Sequence, residues 1–206
     1  MLKLKKSHHT SEKKPKSLSA GYGFKKSDTS LMPFRSKFDR DGQSSREGHE
    51  AEDRFEDYAS KKGYIVEKAS TKQNKYDHID FFLEGKTGKV SVDLKARKRV
   101  SRNDKKFNDD WIWIEIKNVQ GREGWLYGEA DFIVFETQDS FILVPRKKLI
   151  ELANEKVRFD LFIVDRAYQA KYRIYQRPKR RDQITQVEKK EILKLKNVTV
   201  WKKNGK

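Results

Sequence analysis

From residue 78 to residue 95, apolar and polar side chains alternate in two short runs, His78-Ile79-Asp80-Phe81-Phe82-Leu83 and Lys89-Val90-Ser91-Val92-Asp93-Leu94-Lys95. A period of two is that of a strand with one face turned to a core. The connector Glu84-Gly85-Lys86-Thr87-Gly88 has hairpin length and carries two glycines, so the runs are predicted to pair as antiparallel strands. Ile79, Phe81 and Leu83 then share one face, as do Val90, Val92 and Leu94. Asp80, Ser91, Asp93 and Lys95 fall on the opposite face.

Upstream, Ser44 and Glu47 have capping-box spacing, and a helix is predicted from there through Lys62, stopped by Gly63. Ala51, Phe55, Tyr58 and Ala59 form its apolar stripe, with Glu52 and Glu56 beside it one turn apart. Gly63-Tyr64-Ile65-Val66 reads as a short strand entering the core. Further on, Trp111 to Lys117 alternates strictly, its isoleucines on one face and Trp111, Trp113, Glu115 and Lys117 on the other, and it is expected to lie beside the Asp93 strand. Strands at 130–135 and 141–145 and a helix at 146–157, with Leu149, Ile150 and Leu152 inward, complete the set. Thr185 and Glu188 repeat the capping spacing and predict a short helix over 186–194, followed by a strand at 198–201. The predicted class is α/β: one domain over residues 46–165, with a mixed central sheet flanked by helices.

Charge changes this picture at both ends. The chain has 206 residues, 48 Lys and Arg against 31 Asp and Glu, and a net charge of +17. Residues 1–45 hold 11 basic and 4 acidic side chains, residues 166–206 hold 14 and 3, and the middle holds 23 and 24. A near-neutral core between a basic, largely disordered arm and a basic extension suits a polyanionic partner, because cationic arms attract phosphates without reading sequence. With zero cysteines, disulfides, thiolate metal sites and cysteine nucleophiles are excluded, and oxygen donors are left for any metal. No signal-like or membrane-length apolar run is present, so a soluble, cytoplasmic protein with no membrane partner is expected.

The polar face of the hairpin carries the candidate chemistry. Cleaving a phosphodiester needs an activated water and neutralised charge, and a hard divalent cation held by carboxylates supplies both. Asp80 and Asp93 suit that role, Lys95 would stand beside the same ion, and a helix glutamate is within reach of it. Glu115-x-Lys117 is a second acidic-x-Lys pair, but it lacks an aspartate twelve residues earlier. Glu115 and Gln120 are therefore additional candidates. Arg97, Lys98, Arg99, Lys105 and Lys106 follow the site as a basic loop. In the extension, Arg173, Arg177, Arg180 and Arg181 are interleaved with Tyr168, Tyr172 and Tyr175, a mixture suited to sugar-phosphate and base contact. His78 alone of the histidines is near the chemistry.

The helix ending in Gly63-Tyr64, then Ile79-Asp80, then Val92-Asp93-Leu94-Lys95-Ala96-Arg97 resembles the PD-(D/E)XK nuclease superfamily, in its Holliday-junction-resolvase-like and restriction-endonuclease-like branches, over roughly residues 46–150. His78 stands where relatives often have an acid, and no proline precedes Asp80. The resemblance implies a restriction-endonuclease-like core, Glu52, Asp80 and Asp93 as ligands of one or two magnesium (or manganese) ions, and Lys95 assisting the water. It also gives weight to Arg97 as a phosphate contact.

The expected function is a metal-dependent endonuclease hydrolysing DNA, with branched or junction DNA as the particular substrate considered and RNA not excluded. Its small size is similar to that of phage recombination enzymes, which places it in a bacterial or phage-infected cell. A homodimer is expected, since duplex or junction cutting takes two sites. The alternative is a catalytically inactive nucleic-acid-binding module, for DNA or RNA, with a nuclease-like fold.

Overall fold

The computed structural model describes residues 42–101 and 104–203. The arm expected over residues 1–45 lies outside the described residues, apart from 42–45 at the start of the first helix. That helix, α1 (Gln43–Lys61), is followed by β1 (Ile65–Lys68), β2 (Phe81–Gly85), β3 (Gly88–Lys95), β4 (Trp111–Lys117), β5 (Phe132–Glu136), β6 (Ser140–Pro145), α2 (Arg146–Lys156), β7 (Gln183–Glu188), α3 (Lys189–Leu193) and β8 (Thr199–Lys202). No helix among the described residues is long and apolar enough to cross a membrane.

Six strands form one mixed sheet in the order β1-β2-β3-β5-β6-β8. The predicted hairpin is present, with Phe81 opposite Val92 and Leu83 opposite Val90, and β3 and β5 are the parallel pair. The remaining neighbours are antiparallel. Hydrophobic residues line both faces because both are covered. α1 lays Ala51, Phe55 and Ala59 over Phe81, Leu83, Val92, Leu94, Val134, Phe141 and Trp201. On the far side Ile133, Phe135, Ile142 and Val144 meet Ile112, Ile114 and Ile116 of β4, Val187 of β7, and Leu149 and Ile192 of α2 and α3. The molecule is α/β, with helix, sheet, and a further layer of small sheet and helices.

Several expectations need correction. β4 does not join the main sheet: it pairs with β7 in a separate two-stranded sheet, Trp113 opposite Gln186, and β5 occupies the place beside β3. Period-two alternation fixes which face of a strand is apolar, but not which strand it pairs with. Residues 166–203 are not an appendage, since β7 and β8 belong to the two sheets, α3 buries Ile192 in the core, and Trp201 is buried against Phe55, with ring centroids 5.8 Å apart. Thr185 caps no helix; it is buried within β7, and Glu188 is the cap residue before α3. Ser44 likewise lies inside α1, which starts at Gln43 after Gly42 (φ 70). β1 is a sheet edge, with Ile65 exposed rather than entering the core.

α1 is fastened to the sheet end by a buried carboxylate. Arg54 Nε and Nη2 donate to the two oxygens of Glu136 at 2.8 and 3.0 Å, and Lys203 Nζ donates to Oε1 at 2.8 Å. Burial alone would raise the Glu136 carboxyl, but hydrogen bonds from Arg54 and Lys203 outweigh it and hold the group below its ordinary range.

Candidate active site

Asp80 stands one residue before β2, and its position is set by β3. Its backbone N–H donates to the Val92 carbonyl at 2.9 Å, while its carboxylate Oδ2 accepts from the Leu94 N–H at 2.7 Å. Oδ1 accepts from the Asn74 side-chain amide at 2.5 Å. Asn74 comes from a single π-helical turn, Gln73–Asp77, that closes on His78 in the left-handed region (φ 55). This reversal explains one departure from strict alternation: Ile79 packs with Ile112 and Ile114 on the far face, not with Phe81 and Leu83.

Asp93 projects from β3 on the side away from Val92 and Leu94, the side that β4 and β7 cover. It is therefore not on a solvated strand face, being only 2 % exposed. Its Oδ1 lies 2.6 Å from Lys95 Nζ, and its Oδ2 is buried with no hydrogen-bond partner. Burial pushes the Asp93 carboxyl well above the usual carboxylate range. Lys95 works against this, and the nearby Asp80 carboxylate adds to it by repulsion. Asp93 is thus the carboxyl whose charged form the fold disfavours, with the Asp80 carboxylate in its neighbourhood.

Lys95 closes the site from the same strand. Burial would lower its ammonium, but Asp93 first, then Asp80 and Glu115, outweigh that and keep it charged. Its Nζ lies 5.0 Å from the centroid of the Trp125 ring, a favourable place for a cation. Glu52, on α1, is half-buried; burial and then the nearby Asp80 carboxylate raise its carboxyl. The helix glutamate is thus in electrostatic contact with the strand aspartate. His78, in the reversal before Asp80, is pushed down by burial and by Lys95.

Of the two additional candidates, Glu115 is brought to Lys95 and Gln120 is not. Glu115 reaches the site from the small sheet: burial raises its carboxyl, while Lys95 and a hydrogen bond from the Trp125 backbone lower it. Gln120 is exposed in the turn after β4, its N–H bonded to Asn118 Oδ1. The approach of Trp125 to β4 depends on Gly124, where a Cβ would lie 2.5 Å from the Glu115 carbonyl oxygen. Asn74 and Gly124 carried no functional signal in the sequence. Asn74 sits in a polar stretch without periodicity, and Gly124 in a loop that matches no phosphate-binding pattern.

The candidate nucleic-acid contacts divide into engaged and open side chains. Arg97 is held by Asp109 through two hydrogen bonds of 3.1 and 3.0 Å and stacks on Phe107 at 4.6 Å, so in this conformation its fork is already filled. Arg99 pairs with Glu47 at 2.8 Å, Arg177 with Asp182, and Arg173 Nη2 with the Phe162 carbonyl at 3.3 Å. Lys105, Lys106 and Arg181 are exposed. Lys98, Arg99, Arg177 and Arg180 line a cleft of about 600 Å³ whose wall also includes Trp113, Glu115 and Trp125. The cleft runs from the first turn of α1 to the 167–184 segment, and Glu115 and Trp125 on its wall also neighbour Lys95.

No three of the His, Asp and Glu side chains among the described residues stand together as a ready metal cage. The residues nevertheless fit a hard divalent cation held by two carboxylates. Asp93 offers a buried oxygen with no hydrogen-bond partner among the described residues, a cation beside it would offset the burial that raises its carboxyl, and all donors are oxygen. Comparison of the chain with protein-family models, with curated proteins and with solved structures returned no match, so the resemblance to PD-(D/E)XK nucleases rests on the residues described above.

Proposed function

We propose that the chain is a divalent-metal-dependent nuclease with a restriction-endonuclease-like core, hydrolysing phosphodiester bonds in DNA at Asp80, Asp93 and Lys95. The observation that carries this reading is Asp93: one oxygen on the Lys95 ammonium, the other buried and unpaired, with Asp80 alongside. A carboxyl in that position destabilises the fold unless something binds it, a common mark of a functional group.

Asp80 and Asp93 would hold the ion, and Glu52 would support it from α1. A magnesium or manganese ion there would supply charge neutralisation at the phosphate and a more acidic water. The chain's own contribution is positional. Asn74 and the Leu94 N–H aim the Asp80 carboxylate, and Asp93 Oδ1 holds Lys95 so that its ammonium faces the developing negative charge. Asp93 and then Asp80 keep Lys95 charged, with a smaller contribution from Glu115 in the opposite layer. Cutting both strands of a duplex, or a junction symmetrically, would take a homodimer.

A binding module without activity is the second reading. It is favoured by the Asp80 carboxylate, both of whose oxygens already accept hydrogen bonds. The deciding experiment is cleavage of plasmid, linear duplex, single-stranded and four-way-junction DNA, and of an RNA strand, with magnesium or manganese. It runs beside Asp93→Asn, Lys95→Ala and an EDTA control. Cutting by the wild type alone supports the nuclease. Tight binding with no cutting of any substrate in either metal supports the module.

A further inference from the structure

The cleft beside the carboxylates has features that catalysis at Asp80 and Asp93 does not require. We propose that it seats an unpaired nucleotide, so that the chain acts on nucleic acid with a single-stranded segment, such as a flap, an overhang or a fork, in preference to continuous duplex. This rests on the nuclease reading for its consequence but not for its test.

Three observations converge. The first is size: about 600 Å³ lies within the usual range for pockets that enclose a small ligand, whereas a duplex, whose major groove alone is about 12 Å wide, cannot enter it. The second is lining. The half-buried rings of Trp113 and Tyr175 offer surface on which any base can stack, and Lys98, Arg99, Arg177 and Arg180 line the same wall, where a phosphate would compete with Glu47 for Arg99 and with Asp182 for Arg177. These parts are held in place: Trp113 Nε1–H donates to the Arg99 carbonyl at 3.0 Å, the Arg99 guanidinium lies 4.1 Å from the Phe107 ring centroid, and Trp113 and Tyr175 are 6.0 Å apart. A preformed platform loses little freedom when a base lands on it.

The third observation is connection. Trp125 and Glu115 belong to both places: they line the cleft, and they also neighbour the Lys95 ammonium. A base stacked in the cleft would therefore set an adjoining phosphate near Lys95, without requiring the duplex to bend or a base to flip. Direct stacking of an already unpaired base avoids the unstacking cost that a base-flipping enzyme meets.

The test is binding by the full chain in EDTA, where cutting plays no part. Fluorescence anisotropy would be read with a DNA single strand, the matching blunt duplex, the same duplex with a single-stranded flap, and an RNA single strand. We expect the strand and the flap to bind at least about 10-fold more tightly than the blunt duplex. Trp113→Ala should weaken strand binding by about 10- to 100-fold, from the usual effect of removing one stacking ring, and duplex binding by less than about 2-fold. Trp113→Phe should retain most strand binding. Trp111→Ala, on the same face of β4 but outside this cleft, should leave it unchanged. Equal RNA and DNA affinity would assign the base, not the sugar, as the bound feature. Circular dichroism checks that each variant is folded, and Trp113→Phe against Tyr175→Leu replaces the alanine variant if that one is not. Equal binding of blunt duplex and single strand, or a Trp113 variant that loses both alike or neither, overturns the proposal. Strand preference in EDTA without cutting in magnesium keeps the cleft assignment and removes the nuclease.

Discussion

Asp93 gives one oxygen to the Lys95 ammonium at 2.6 Å and keeps the other buried, with no hydrogen-bond partner among the described residues. The fold therefore favours the uncharged form of this group, and its pKa is raised when folded. The sign of the linkage follows. An acid with a raised folded pKa binds more protons folded than unfolded, so it stabilises at low pH and loses that stabilisation as pH rises past the unfolded value near 4. Asp93→Asn combined with Lys95→Met, which mimics the protonated acid and leaves no buried ammonium without its counterion, should abolish cleavage and yet raise thermal stability at pH 8 by about 1–3 kcal/mol. The gap should narrow at pH 4. Thermal unfolding of both proteins across that range checks it, and a variant less stable than wild type at pH 8 would contradict the account.

Glu136 predicts the opposite slope. Its carboxyl is held low by Arg54 and Lys203, so its contribution is present above the unfolded value near 4.3 and is lost as pH falls through the lower folded value. Glu136→Gln should cost about 1–2 kcal/mol at pH 7, less than a fully buried pair would, because the Arg54 side chain is 49 % exposed and regains water. Urea unfolding should show the wild type and variant converging toward pH 3.

Two glycine-to-alanine changes should move in opposite directions. At Gly124 the new Cβ would meet the Glu115 backbone at 2.5 Å, forcing the Trp125 turn away from β4 at a cost of about 1–3 kcal/mol, with loss of activity as Trp125 and Glu115 shift. At Gly48, inside α1, a Cβ meets nothing within 4 Å, and the change should stabilise by about 0.5–1 kcal/mol. Differential scanning calorimetry of the two variants reads both.

Gln186 is fully buried opposite Trp113, and neither its amide oxygen nor its nitrogen has a hydrogen-bond partner among the described residues. Gln186→Met keeps the volume and removes two unmet polar atoms, so a gain of about 1 kcal/mol is expected. A loss of stability in urea titration would mean that the amide has partners in solution.

The hairpin was legible because the Asp80–Leu83 and Val90–Lys95 pattern is local: alternation, a glycine-bearing turn and one register bring the segments that carry Asp80, Asp93 and Lys95 side by side. What failed was non-local. The Thr185 and Glu188 spacing is a sound local signal for a helix, but pairing of β7 with β4 buries Thr185 in a strand instead. The Ser44 and Glu47 pattern is likewise present, yet Glu47 is used on Arg99, 52 residues away. The filled fork of Arg97 depends on where Asp109 returns after a loop, which no period encodes. Ile79 obeys the alternation in sequence and breaks it in space, because His78 at φ 55 turns the chain just before it.

The Trp201 indole stacks on Phe55, and the Tyr58 hydroxyl donates to the Lys202 carbonyl, a contact that spans 144 residues. During synthesis, α1 is followed closely by the hairpin that takes most of its apolar stripe, but Trp201, which closes the cover over Phe55, is made only with β8. Glu52 sits on that same helix. A chain that ends before β8 therefore leaves Phe55 partly uncovered, and the helix that carries Glu52 is less firmly seated on the sheet.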